Sequence, residues 1–407
     1  MMPDTASALT AHGVVIHAPA SVDIDPAVDP DRIAPGVVIH PGCRIRGAST
    51  SIGPDCVLGA EAPATVENCQ LGHGVELRGG CFSGATFLDG ASFGSAAHVR
   101  PGTLLEEGAS CAHAAGLKQT ILFPYVTTGS LINVCDFLMA GGTSRKDHSE
   151  IGSSYVHFNF TPHGDKATAS RAGDVPGGVF RNRARIFLGG QGGLVGPACI
   201  AYGVVIPAGI VWRGDAPDEH AVLAAPMTAP GAARPFVAGA YRSIRRIVRN
   251  NLAYIGNLHA LAAWYRGARV RFMSGDPFRA ACHAGALERI EEGLRERLLR
   301  MDELAARMPR SVELARCDAR CALPEAVMAE QESFAAGWPS VRLRLAAGPD
   351  TAAPPREFLT EWGAFPSAAG MDAALAGLSP EGRRAGTGWL QAIVDRATGL
   401  RPGAATG

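Results

Sequence analysis

The sequence predicts a parallel β-helix over its first half and an α-helical region after it. Three observations carry that prediction. An apolar side chain returns at every sixth position along Phe87, Phe93, Val99, Leu105, Cys111 and Leu117, and again along Leu188, Leu194, Ile200, Ile206 and Trp212. A period of six fits neither an α-helix nor a simple alternating strand; it is the repeat of a stacked coil in which each short segment turns one apolar residue into a common core. Gly-Pro, Pro-Gly and Asp-Gly pairs follow the repeated residue, as in Ile52-Gly53-Pro54-Asp55 and Val195-Gly196-Pro197, and supply the corners. Beyond Pro235 glycine thins out and the apolar spacing becomes helical.

In chain order, residues 1–30 are rich in Pro, Asp and Ala and read as an irregular lead-in. The β-helix is expected over 31–230. Its hexads start with Ile33, Ile39 and Ile45, slip by one residue to Ile52 and Leu58, and continue through Leu71 and Leu77. The spacing blurs near 123–150 and vanishes near 159–185, which predicts inserted loops there; loops on a rigid scaffold are where binding chemistry concentrates. Helices are expected over 235–400. One carries Ile244, Ile247, Val248, Leu252, Ile255, Leu258 and Leu261, a second covers Asp276–Met308, and others start after Pro324 and Pro380. Arg242, Arg245, Arg246 and Arg249 read as a solvated or interface-facing helix side rather than a phosphate site.

Composition bounds the function. In 407 residues, 38 Lys and Arg balance 38 Asp and Glu, so no global charge argues for nucleic acid or an anionic membrane surface. The N-terminus has no basic start followed by an apolar run, and no stretch of about 18 apolar residues occurs. A cytoplasmic protein with a small-molecule substrate is the expectation. Of ten cysteines, seven (Cys43, Cys56, Cys69, Cys81, Cys111, Cys135 and Cys199) are dispersed among the repeats, where a free thiol packs as a small hydrophobe. Cys317 and Cys321 have no second pair or His cluster beside them, and no metal site is expected.

From Phe93 to Asp215 the chain resembles the acetyltransferase half of the bifunctional glucosamine-1-phosphate acetyltransferase/uridyltransferase family. The strings that carry the resemblance are Val99-Arg100-Pro101-Gly102-Thr103, Gly116-Leu117-Lys118-Gln119, Ile151-Gly152-Ser153-Ser154, Asn159-Phe160, Leu194-Val195-Gly196-Pro197 and Ile206-Pro207-Ala208-Gly209, in that order. The resemblance implies a left-handed β-helix assembled as a homotrimer, with acetyl-CoA or another acyl-CoA as co-substrate and no metal. It implies that Arg100 and Lys118 hold the phosphate of an amino-sugar acceptor, a bidentate fork beside a point charge. Asn159 and Phe160 match an Asn-Tyr pair lining the acceptor pocket, without the tyrosine hydroxyl, and Lys166 lies one residue from a third phosphate-binding lysine. Ser153, Gly190 and Ala208 are the implied cofactor-binding positions; Gly190 and Ala208 fall where backbone and small side chains admit the pantetheine arm. The resemblance does not extend to the family's uridyltransferase half, and none is expected here.

The same comparison shows departures. The family's catalytic histidine aligns with Ser130, and a tyrosine three residues later becomes Asn133, kept here as a substrate-binding candidate. Replacements are sought in the polar cluster of the blurred region: Arg145, Lys146, Asp147, His148, Glu150, His157, Asn159, His163, Asp165 and Lys166. His148, His157 or His163 would serve as general base near neutral pH, oriented by Asp147, Glu150 or Asp165, with Asn159 as an oxyanion donor. Arg145 and Lys146 beside Gly141-Gly142 suit an anion. The leading expectation is a CoA-dependent N-acyltransferase acting on an amino group of a phosphorylated sugar or sugar nucleotide. The alternative is a non-catalytic scaffold that keeps the sugar-phosphate pocket but lacks the base; no nucleotidyl transfer is expected.

Overall fold

The computed structural model describes residues 5–157, 163–224, 236–348 and 353–400. Its first half is a three-sided prism wound from short parallel strands, and each sequence hexad forms one side. The first face is a sheet of ten strands from Val15–Ile16 through Ser92–Phe93 and Ser110–Cys111 to Val205–Ile206. The second face runs from Asp23–Ile24 through Ala97–Val99 to Val211–Arg213. The third runs from Ser51–Ile52 through Thr103–Leu105 to Cys199–Ile200. Two longer strands, Ala115–Leu122 and Ile132–Met139, bend from the second face onto the third, at Gln119 (φ 50°) and Asp136 (φ 52°). Val99 pairs with Leu117 and Leu105 with Leu122, so one coil takes 17 or 18 residues.

The repeated apolar residues fill the axis. Phe82 from the second face, Phe87 from the third and Phe93 from the first meet edge-to-face, with centroids 5.5–5.9 Å apart. All three are at most 1% exposed, so one coil contributes three rings to a single plug. Cys43, Cys56, Cys69 and Cys111 are buried and unpaired, as expected of thiols used for packing, and every cysteine is free.

Several elements differ from the sequence reading. Residues 1–30 already carry the first coil: Val15–Ile16 pairs with Val38–Ile39, and Asp23–Ile24 with Arg44–Ile45. A helix at Thr5–Ala11 (α1) precedes them and buries Ala6 and Leu9. The blurred region near 123–150 is mostly strand. Its one extrusion is an antiparallel hairpin, Gly142–Ser144 against Asp147–His148. Within 163–185 the chain returns to the third face at Ser170–Ala172 and makes a four-residue helix, α2, at Val175–Gly178.

The helical region consists of α3 (Arg245–Trp264), α4 (Val270–Met273), α5 (Pro277–Cys317), α6 (Glu325–Ala347), α7 (Arg356–Ala364), α8 (Gly370–Gly377) and α9 (Pro380–Gly399). Its arginines are largely spent on structure: Arg245 pairs with Glu330, Arg249 with Asp215, and Arg246 donates to the Pro197 carbonyl. Asp276 caps α5 by accepting from the amides of Phe278 and Arg279. From there α5 runs for 41 residues, about 62 Å, and its stretch from Arg279 to Arg297 crosses the third face. Contact is close: a Cβ on Gly285 would strike the Gln70 and Thr86 side chains. Arg279 pairs with Asp89 at 2.8 Å and Arg297 with Asp136 at 2.9 Å, one at each end of the contact.

A second attachment lies at the corner between the third and first faces. A π-helical turn over Tyr265–Arg269, between α3 and α4, turns two side chains toward Glu106. The Tyr265 hydroxyl donates to Glu106 at 2.7 Å and Arg269 at 3.0 Å, while Arg269 also pairs with Glu107. Arg181 pairs with Glu107 on one side and Asp372 on the other. Burial pushes the Glu107 carboxyl up, but the guanidiniums of Arg269 and Arg181 outweigh it and hold the group below its ordinary range. For Glu106, burial wins over the same cations and the carboxyl is raised.

Two outcomes follow from these contacts. Phe87→Ala opens a cavity in the axial plug and lowers stability by about 3–5 kcal/mol, read as a lower urea midpoint than wild type. A depressed carboxyl contributes stability that is present above its unfolded value, about 4.3 for Glu, and is lost as pH falls through the folded value. Glu106, raised, changes in the opposite sense. The difference in thermal midpoint between wild type and Glu107→Gln reads Glu107 together with its effect on neighbouring Glu106, and that difference shrinks as pH is lowered from 7 to 3.

Candidate active site

The second face carries the candidate chemistry on its outer surface. Along each of its strands, alternate residues point inward and outward. Ala97, Val99, Ala115, Leu117, Ile132 and Val134 fill the core, leaving His98, Arg100, Gly116, Lys118, Asn133 and Cys135 on the outer side. Lys118 is in register with Cys135, and Arg100 follows Val99, the partner of Leu117. Arg100, Lys118 and Cys135 therefore form one column at the edge toward the third face. The Arg100 guanidinium spans two coils and approaches Cys135 Sγ at 3.6 Å, and that thiol approaches Asn133 Oδ1 at the same distance. The two cations predicted to share a phosphate are thus adjacent, and Asn133 stands exposed beside them.

Charges on neighbouring groups sharpen this column. Burial, then Asp136, push the Cys135 thiol up against the pull of Arg100 and Lys118, so it stands among the cations as a neutral group. Burial also pushes Glu296 of α5 up, but Arg300, Arg297 and Lys118 outweigh it and keep it a carboxylate. Lys166 is exposed, and its carbonyl accepts from Arg297 at 3.3 Å, the same guanidinium that pairs with Asp136. Lys166 therefore lies near the same edge.

The opposite edge of the second face, toward the first, is a column of small residues. Gly152 and Gly190 sit so close that a Cβ on Gly152 would lie 2.5 Å from the Gly190 amide. The exposed Ser153 and Ala208 lie on the same edge, one coil to either side of Gly190. Backbone there is accessible to an elongated ligand. One coil before Ser153 stands Ser130, and one coil before that His113; the Ser130 hydroxyl and His113 Nδ1 are 2.8 Å apart.

The polar cluster expected to supply a base does not converge. Arg145, Lys146 and His148 belong to the hairpin at the corner between the third and first faces, on the far side of the prism. Arg145 is folded over the first face, donating to the Gly108 carbonyl and the hydroxyls of Ser110 and Thr127, while the exposed Lys146 marks the turn. His148 Nδ1 is bonded to the Arg145 carbonyl at 2.9 Å. His157 is 2% exposed and its Nε2 meets Thr168 Oγ1 at 2.9 Å, so it is a packed corner residue. His163 stacks on Tyr241 with centroids 4.4 Å apart, and burial lowers its pKa despite Asp165. Asp165 itself accepts from the Tyr241 hydroxyl at 2.9 Å. Asn159 and Phe160 lie outside the described residues. Among the described residues no group of three or more metal-ligating side chains converges.

What the linear reading missed is His113. It precedes Ser130 by 17 residues, the length of a coil, so counting across coils rather than along the chain would have placed an imidazole over Ser130. Arg297 and Glu296 were noted only as part of a helix, with no signal that this helix reaches the edge carrying Arg100 and Lys118.

Fold and column order together define a parallel β-solenoid built from hexapeptide repeats, joined to a helical region. No protein-family profile matches the sequence. Its sequence relatives include the bifunctional protein GlmU of Geotalea uraniireducens, 27% identical over 225 residues that make up 54% of this chain and 43% of the relative. GlmU of Nocardia farcinica is 32% identical over 148 residues, 36% of this chain and 28% of that one. The chain thus spans less than half the length of the curated relatives it matches. Among solved structures, LpxA from Acinetobacter baumannii overlaps 49% of this chain and 68% of its own at 11% identity and a TM-score of 0.18, too loose a superposition to add to the fold described above. No described helix is long and apolar enough to cross a membrane.

Proposed function

We propose that this protein transfers an acyl group, acetyl in the simplest case, from a CoA thioester to an amino group of a phosphorylated sugar. The observation that carries the reading is the stacked pair of cations, Arg100 and Lys118, on a face whose opposite edge is a column of small residues. Two fixed positive charges one coil apart suit a phosphate dianion, because Arg offers a planar fork and Lys a mobile point charge. Asn133 lies between that anchor and that column, where an acceptor ring would rest. Ser153, Gly190 and Ala208 would take the pantetheine arm, and Lys166 would add charge at the phosphate edge.

His113 lies in the turn before strand Ala115–Leu122 and Lys118 is the fourth residue of that strand, so five steps, at most about 18 Å of chain, separate them. Once the lengths of the flanking side chains are subtracted, the gap suits a single phosphorylated ring. Direct transfer forms the C–N bond and breaks the C–S bond, and orientation of the amine against the thioester supplies much of the rate.

The test is thiol release from acetyl-CoA with glucosamine 1-phosphate as probe acceptor. Arg100→Ala and Lys118→Ala should each raise the acceptor KM by an order of magnitude or more, since a hydrogen bond to a charged group is worth roughly 1.5–3 kcal/mol. Unchanged kinetics in both variants would overturn the assignment of the phosphate site. A protein that binds the sugar phosphate but releases no thiol would instead be the non-catalytic scaffold.

A homotrimer is part of the same proposal, with active sites between prisms and a cytoplasmic setting. The exposed Leu131, 73% accessible beside Ser130, favours lateral association at this edge. Light scattering of the purified protein should give three times the 42.3 kDa chain mass, and Leu131→Glu should reduce it to one.

A further inference from the structure

Transfer to an amine requires a group that accepts a proton from the attacking nitrogen. This inference rests on the acyl-transfer reading above and concerns the residue that performs that step. His148, His157 and His163 are committed elsewhere or sealed from the second face. Two other histidines reach that face. His98 stands in register with Gly116 and makes no hydrogen bond among the described residues, so nothing fixes its ring. His113 is exposed at the edge toward the first face, and Ser130 on the following coil holds its Nδ1 at 2.8 Å.

We infer that His113 is the proton acceptor of the reaction and that Ser130 positions it. With Nδ1–H donating to Ser130 Oγ, the neutral imidazole keeps its lone pair on Nε2, the nitrogen free to face a ligand. The acceptor enters as the free amine, its ammonium proton already released to water. As the nitrogen attacks the thioester carbonyl, Nε2 takes a proton from it. Collapse of the tetrahedral adduct breaks the C–S bond, and the departing sulfur receives that proton from the imidazolium. One amide and one thiol result, and His113 returns to its starting state. The base thus comes from one coil and its support from the next, an arrangement that the stacking of the prism holds in place. Ser130 is a positioning residue here, not a nucleophile.

Thiol release from acetyl-CoA in the presence of glucosamine 1-phosphate tests this with five proteins: wild type, His113→Ala, His98→Ala, Ser130→Ala and the double variant His113→Ala/Ser130→His. His113→Ala should lower kcat by about 10²–10⁴-fold, leave the acceptor KM within a factor of two, and abolish the acid limb of the pH–kcat profile. Ser130→Ala should lower kcat less and shift that limb. His98→Ala should retain wild-type kcat, and the double variant, which returns an imidazole to the neighbouring corner, should regain part of the lost rate. Wild-type kcat and pH profile in His113→Ala would overturn the inference while leaving acyl transfer intact, as would transfer of the loss to His98→Ala. An acetyl group found on Ser130 by intact mass after incubation with acetyl-CoA would overturn it in favour of a covalent route. Absence of thiol release from the wild type would overturn both this inference and the function it rests on.

Discussion

Backbone hydrogen bonding between successive coils is the constraint on which everything else depends. It holds residues 17 or 18 apart side by side, so a linear sequence becomes a set of columns. The apolar columns close into a core with three rings at its centre, while the outward columns place Arg100 beside Lys118 and His113 beside Ser130. No single coil contains either pair. Each depends on register, because a one-residue slip would turn every outward side chain inward.

The helical region adds a second constraint from one side. By lying along the third face, α5 brings Arg297 to the corner at Asp136 and Glu296 close to Lys118. A buried pair such as Arg297–Asp136 is weak evidence of net stabilisation, because both ions lose water. It is better regarded as a register pin: removing either partner would leave a charge buried without compensation, which disfavours other seatings of the helix. Glu106, Glu107, Tyr265 and Arg269 act in the same way at the opposite corner.

How much of this was legible beforehand depends on which direction information runs. The hexads from Phe87 to Leu117 revealed the prism because inward packing leaves a mark on nearest sequence. The helices after Pro235 were legible for the same reason, although the one placed over Asp276–Met308 runs on to Cys317. The first coil was not, since its strands are two residues long and only Ile16 is buried in them. Polar residues at 145–148 looked like chemistry because they interrupt an apolar pattern, yet their bonds show that they fasten a hairpin. His113 escaped notice for the converse reason: it occupies an ordinary corner, and only the three-dimensional stacking gives it a partner. Arg100 and Lys118 were found through similarity to a family, and the geometry then brought them together.

The length of α5 has one more consequence. The stretch from Arg279 to Arg297, pressed across one flank, braces successive coils of the solenoid much as a splint stiffens a limb. It also covers that flank between Asp89 and Asp136, which is thereby closed to any other partner.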